Sequence, residues 1–323
     1  MIRFILGRLV KAVFILLAIL IVNFLLIHAA PGDPAAVMAG EAGAADEKFL
    51  ADLRTRFGLD QPLYVQLWTY LKGAAQLDLG FSYRQQMPVA DLIADRLPAT
   101  LLLTGVAFVL SLVLGVIAGV AASARQGSWS DTIISTLALL FYATPLFWVA
   151  LMAVLVFSVW LEWLPGFGYS TIGAGYTGLA HVLDVARHLV LPASTLGLFF
   201  MAIYMRMTRA SMLEVSRLDF VKTARAKGLK HRVIQRRHIL RNALLPVITL
   251  AGLQAGQIFG GAILTETVFA WPGIGRLMFE SLAARDYNTI LGVFLVSAAM
   301  VILFNIVTDI VYRIVDPRIG ARA

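Results

Sequence analysis

The stretch Asp219-Phe220-Val221-Lys222-Thr223-Ala224-Arg225-Ala226-Lys227-Gly228 holds the residue types best suited to recognition chemistry in this 323-residue chain. Its pattern predicts a short helix over 220–227, capped by Asp219 and stopped by Gly228. Two turns of helix do not persist alone, because nucleation is costly, so such a helix must dock on its own chain or on a partner. Its cations Lys222, Arg225 and Lys227 stand among Thr223, Ala224 and Ala226, small enough to let another surface come close. That is contact chemistry, with a protein partner or with anionic lipid, and the residues alone leave both open.

A second group lies further on. Gly252, Gly256 and Gly260 recur every four residues, with Gln254, Gln257 and Glu266 in the same apolar run. Gly115 and Gly119 have the same spacing in an earlier run. Small residues at this interval let helices approach closely in lipid. Polar groups at membrane depth face a bundle interior or a watery path. The run at 252–266 therefore either lines a pathway or forms interhelical hydrogen bonds. Asn305, Asp309 and Arg313 follow one another at i+4, with the acid before the base, which is the favourable order for an ion pair. That pair fits a snorkelling arginine at a helix end better than an ion relay.

Catalytic and metal-binding sets are missing from the sequence. No Gly-Lys dipeptide occurs, so there is no P-loop to hold nucleotide phosphates. A His-Glu-x-x-His motif and a Gly-x-Ser-x-Gly elbow are also lacking, and His28, His181, His188, His231 and His238 are scattered. With no cysteine, disulfides and thiolate metal sites are excluded.

The elements that must position these groups are apolar helices. The chain is 59% hydrophobic and only 14% charged, too few charges to clothe a soluble domain, and its mean hydropathy is +0.81. Six stretches, 12–30, 99–122, 133–160, 189–204, 243–268 and 290–312, are long enough or nearly so to cross a bilayer. They do not alternate as barrel strands would. An all-α polytopic membrane protein with six transmembrane helices is expected. The first stretch follows Arg3, Arg8 and Lys11, as a signal peptide would, but it is long and ends without a small-x-small cleavage site, which favours a retained anchor.

Lys and Arg number 18 in the segments 1–11, 123–132, 205–242 and 313–323, against 9 in the alternate segments. This places both termini and the 205–242 loop in the cytoplasm. The net charge of +8 is thus a topology signal and does not mark a nucleic-acid surface. The chain divides into residues 1–98, the first helix with a long outer loop, and 99–323, a five-helix core carrying the 205–242 loop. In the outer loop, 45–57 and 62–71 have amphipathic helical spacing, with Leu63, Leu67, Tyr70 and Leu71 on one face. They suit either a passive cap or a docking platform.

These residues resemble a known family, the inner-membrane permeases of bacterial ATP-binding-cassette importers for dipeptides, oligopeptides and nickel. The stretch 219–229 resembles that branch's cytoplasmic coupling loop, followed by Arg237-His238-Ile239-Leu240-Arg241-Asn242-Ala243-Leu244-Leu245-Pro246. The general loop of such importers reads Glu-Ala-Ala with Gly later. Here Lys222, Thr223 and Ala224 stand at those positions and Gly228 is kept, a departure that looks typical of the peptide and nickel branch. Further matches are Pro31-Gly32-Asp33-Pro34, Gly58-Leu59-Asp60-Gln61-Pro62-Leu63, Asp78-Leu79-Gly80-Phe81-Ser82, Leu97-Pro98-Ala99-Thr100, Arg209-Ala210-Ser211-Met212-Leu213-Glu214 and Asp316-Pro317-Arg318. The longest is Ile263-Leu264-Thr265-Glu266-Thr267-Val268-Phe269-Ala270-Trp271-Pro272-Gly273-Ile274-Gly275-Arg276.

The resemblance implies a type I-like permease bundle in the bacterial inner membrane that moves di- or oligopeptides, or a related small solute, into the cytoplasm. Nickel and glutathione importers share the motifs, so the substrate stays open. It implies a second homologous permease, two ATPase subunits that bind ATP and Mg, an extracytoplasmic solute-binding protein, and no cofactor or catalysis on this chain. The helix 220–227 would then fit the ATPase and transmit its closure. A secondary transporter driven through Glu266 or Asp309 is the alternative from another class, and it would show inverted repeats, which are not evident here.

Overall fold

The computed structural model describes residues 2–29, 51, 55, 60–82 and 84–315. The expected helix 45–57 lies outside them, apart from residues 51 and 55, as do Pro31-Gly32-Asp33-Pro34, Gly58-Leu59, Asp316-Pro317-Arg318 and the side chains of Asp309 and Arg313. The chain folds as two compact units, Met1–Pro98 with Gly273–Ile302, and Ala99–Pro272 with Leu303–Ala323. Residues 273–302 join the N-terminal unit because of a shared apolar cluster.

The first unit contains α1 (Ile2–Ala29), α2 (Leu63–Ala75) and a short antiparallel hairpin of β1 (Phe81–Ser82) and β2 (Met87–Pro88). It also holds residues 89–98 of α3 (Val89–Ala124), α10 (Ile274–Ala283) and the start of α11 (Tyr287–Val315). Pro62 sits ahead of α2, where its fixed φ and missing N–H suit a helix start. Tyr70 of α2 stacks on Phe24 of α1 at 5.9 Å, and His28 meets Gln66 at 3.1 Å. The predicted amphipathic helix at 62–71 is therefore present and rests on α1. The unit's core joins Val89, Leu92 and Ile93 to Ile274, Leu277 and Val293. Asp286 caps α11 by accepting the Thr289 N–H at 3.3 Å, and it also takes the Ser82 hydroxyl at 2.5 Å. One carboxylate thus starts a helix and fastens the hairpin.

The second unit contains residues 99–124 of α3, then α4 (Trp129–Ala143), α5 (Leu146–Ala153) with a π-helical turn π1 (Val154–Trp160), and α6 (Gly178–Val215). There follow α7 (Asp219–Ala226), α8 (His231–Val233), a second π-helical stretch π2 (Ile234–Leu240), α9 (Arg241–Val268) and the end of α11. Its core gathers Leu103, Leu196, Tyr204, Val247, Ile258 and Trp271. The apolar window of Gly178–Val215 is 67% buried, against 28% for Val89–Ala124, so α6 is a central helix and α3 keeps an outward face. That face carries Val109, Val113 and Ile117, as a lipid-facing helix should.

Among the described residues, four helices are long and apolar enough to cross a membrane, or five if the bent pair described next counts as one span, and 10–26 of α1 forms a shorter apolar helix. The stretch 133–160, expected as one span, is broken. Here α4 and the α5–π1 helix meet at 104°. Pro145 lacks an N–H and its ring crowds the residue before it, so Thr144 turns to φ −82°, ψ 136° and the helix must restart. Two other helices begin earlier than hydropathy suggests, α3 at Val89 and α6 at Gly178. Asp91 in the first turn of α3 and His181, Asp184, Arg187 and His188 in the first three turns of α6 are polar, so the apolar signal starts well after each helix does.

Candidate functional site

Helix α7 forms where the sequence places it, with one change at its start. Leu218 holds the cap position in extended backbone, and no side chain caps the helix. Asp219 is instead the first helical residue, with its carboxylate 2.8 Å from Lys222 Nζ. Both side chains are largely exposed, so this pair adds little to stability. Val221 and Ala224, three residues apart on one face, are buried against Met212, Ile234, Ile239 and Ala243. Burial of the valine side chain contributes about 1.5–3 kcal/mol, which holds a helix too short to stand alone.

At the other end Gly228 adopts φ +73°. Its N–H donates to Arg225 O at 2.9 Å, and the Leu229 N–H reaches Ala224 O at 3.4 Å. This is the left-handed stop that the sequence predicts. The seven residues 222–228 therefore divide by role. Ala224 anchors the helix to its own chain, while Lys222, Thr223, Arg225, Ala226, Lys227 and Gly228 are exposed, with Phe220 beside them.

The mount beneath α7 includes a pair that the sequence does not announce. Arg209 of α6 donates from Nε and from a terminal nitrogen to the two oxygens of Asp131, each at 2.7 Å. Asp131 is only 4% exposed and also accepts the Gly127 N–H at 3.0 Å. A bidentate guanidinium–carboxylate contact fixes geometry as well as charge. It ties the start of α4 to α6, three residues before Met212 meets α7. Arg209 stands in a segment that the resemblance singles out, but its partner is 78 residues away and leaves no periodic trace.

The six residues picked out on α9 do not converge on one site. Gly252 lies directly against α11, where Thr308 Oγ1 donates to Gly252 O at 3.2 Å. Gly256 is buried, Gln254 is half-buried, and Gln257 and Gly260 are exposed. Glu266 is fully buried and accepts the Thr100 hydroxyl at 2.6 Å. Nearby, Trp271 Nε1 donates to Ala99 O at 2.8 Å, which binds the loop after α9 to α3. So Gly252 and Gly256 serve packing, Gln257 and Gly260 face outward, and Glu266 belongs to a buried polar contact.

The same arrangement of helices recurs among known proteins. The family described as "Binding-protein-dependent transport system inner membrane component" matches residues 111–321, and the N-terminal segment of such membrane components matches residues 1–104. The chain is similar to the dipeptide transport system permease protein DppB of Alkalihalophilus pseudofirmus, 41% identical over 335 residues, with 99% of each chain covered. It is 38% identical over 336 residues to DppB of Escherichia coli, again with 99% of each covered. A putative peptide transport system permease protein of Brucella abortus is 40% identical over 315 residues, covering 98% of each. Among solved structures, the MetNI methionine ABC transporter in inward-facing form superposes with a TM-score of 0.55 at 19% identity, covering 70% of this chain and 96% of that one. A crystal structure of an amino acid ABC transporter with histidines gives 0.51 at 15% identity, covering 69% and 94%.

Proposed function

Because the chain belongs to the family of binding-protein-dependent transport system inner membrane components, we propose that it is the channel-forming permease of an ATP-binding-cassette importer for di- or oligopeptides, gated through α7. The peptide assignment rests on relatives of about 40% identity that are named for dipeptide or peptide transport over nearly their whole length. The observation that carries the gating role is the docked two-turn helix. Its inner face is held by Val221 and Ala224, while Phe220, Thr223 and Ala226 are presented outward. A rigidly mounted helix with a free outer face can pass on the movement of whatever grips it.

In this reading a second permease completes the channel, two ATPase subunits bind ATP and Mg and grip α7, and an extracytoplasmic binding protein delivers solute. Catalysis then lies wholly on the ATPase subunits. Gln257 and Gly260 face the route between the permeases, and Gly252 and Gly256 set the spacing of α9. Accordingly, Gly256→Leu should insert into the membrane normally and lose uptake. Normal uptake in that variant would show that the close packing of α9 at Gly256 is not needed for transport.

The coupling role is tested by a cysteine scan of 220–228 in the assembled importer, which the cysteine-free chain makes simple. Cysteines at Phe220, Thr223 and Ala226 should crosslink to the ATPase subunit, and those at Val221 and Ala224 should not. A scan with no crosslink at any outward position, in a complex that still transports, would end the assignment. Both termini are proposed to lie in the cytoplasm of a cell whose inner membrane holds the protein. Impermeant thiol labelling should then reach Ser128→Cys and Ala323→Cys from the cytoplasm, and Gly175→Cys from outside. Labelling from the opposite sides would invert the topology.

A further inference from the structure

Eight lysines and arginines and no acid occur between residues 220 and 265. Two of these cations, Arg232 and Arg236, line a cavity of about 420 Å³ together with His231 and Gln235. The remaining walls are Leu240, Val120 and Ala124. The size falls within the range of small-ligand sites. Arg232 and Arg236 are four residues apart on the run from α8 into π2, so they share a face and repel one another. Among the described residues no carboxylate forms an ion pair with either. Single-turn π segments in helices often mark functional positions, and π2 supplies Gln235, Arg236 and Leu240 to this wall.

The apolar side of the cavity continues along α3. Val109, Val113 and Ile117 are spaced four apart and exposed, and the same face leads on to Val120 and Ala124 at the end of the helix. An outward apolar track that ends at two arginines matches a molecule with an acyl chain and an anionic head. We propose that this cavity binds the phosphate headgroup of an acidic phospholipid, with Arg232 and Arg236 on the phosphate and an acyl chain along Val109, Val113 and Ile117. Arginine suits this task because its planar fork pairs two N–H groups with phosphate oxygens. The bound lipid would brace π2, against which α7 packs through Ile234 and Ile239. The site is independent of what the protein transports.

Native mass spectrometry of the assembled importer in detergent tests this, with phosphatidylglycerol, phosphatidylcholine and inorganic phosphate as probes. Phosphatidylglycerol should be retained at least tenfold more than phosphatidylcholine. Arg232→Gln with Arg236→Gln should abolish that preference, whereas Arg237→Gln, outside the cavity wall, should keep it. Filling the cavity by Ala124→Phe should reduce retention without altering charge, which covers the case in which the double variant assembles poorly. Equal retention of both lipids would overturn the proposal. So would displacement by inorganic phosphate with no lipid preference, since the site would then hold a free anion. Loss of the ATPase subunit from the double variant with lipid retention unchanged would assign these arginines to a protein contact instead, and overturn it as well.

Discussion

Replacing Gly228 by valine is expected to lower solute uptake at least tenfold while leaving solute binding outside the membrane unchanged. Gly228 holds φ +73°, and a Cβ built there would meet nothing within 4 Å. Crowding is therefore not the cause of the predicted loss, and backbone strain is. An L-residue forced into the left-handed region costs about 1–2 kcal/mol, and a β-branched one is a genuine outlier there. About 1.4 kcal/mol is a factor of ten in an equilibrium. The variant would escape by unwinding the last turn of α7, releasing the hydrogen bonds from Gly228 and Leu229 to Arg225 and Ala224. The outer face would then be misaligned while Val221 stayed buried. Uptake and solute-stimulated ATP hydrolysis in reconstituted importer check this. A graded series should appear, with Gly228→Asn the mildest, Gly228→Ala intermediate and Gly228→Val the most severe, because asparagine tolerates this conformation best. Wild-type uptake in the valine variant would show that the helix stop does not matter for coupling.

The second large effect concerns folding. Gly119→Ala is expected to sharply reduce recovery of folded protein, although it adds only one methyl group. A Cβ at Gly119 would sit 2.5 Å from Thr208 Cβ and 2.7 Å from the Met205 carbonyl oxygen. At Gly115, one turn earlier, it would sit 2.6 Å from Tyr204 Cβ. These are backbone and first side-chain atoms of α6, which cannot swing aside, so the helices would have to separate. Overpacking a dense core costs about 1–3 kcal/mol in ordinary cases, and here the obstacle includes backbone. Gly105 is the matching control in the same helix, with open space around it. Gly105→Ala should be neutral or stabilising, by up to about 1 kcal/mol, because alanine is the better helix former. Recovery by size exclusion and thermal unfolding in detergent compares the two. Equal recovery of Gly119→Ala and Gly105→Ala would mean that α3 and α6 do not meet as closely as described.

The glycine pair at 115 and 119 is legible in the sequence, as is the stop at Gly228. Each follows from a local rule, small residues one turn apart for close packing and a residue without Cβ for positive φ. The apolar runs, their helical nature and the amphipathic segment before Ala75 are legible for the same reason. Backbone groups in lipid must be satisfied within the segment, so composition alone selects the helix. The break at Thr144-Pro145 is also written in the chain, since proline disfavours helix in the residue before it. Its consequence, a 104° turn in place of a kinked span, depends on how α5 packs with α6 and α9.

Other features have no local trace. Arg209 meets Asp131 across 78 residues, and Thr100 meets Glu266 across 166. No i+3 or i+4 rule reaches such distances, and only the packing of whole helices brings these groups together. The face of α7 is the clearest case. Among its small residues, Thr223, Ala224 and Ala226 are equally free to meet a partner as far as spacing goes. The fold turns Ala224 inward with Val221 because Met212, Ile234, Ile239 and Ala243 form an apolar seat there. The sequence by itself determined that a short helix with a glycine stop would exist and would have to dock. Which side it docks by was decided by the tertiary structure, because burial depends on the surface that the rest of the chain provides.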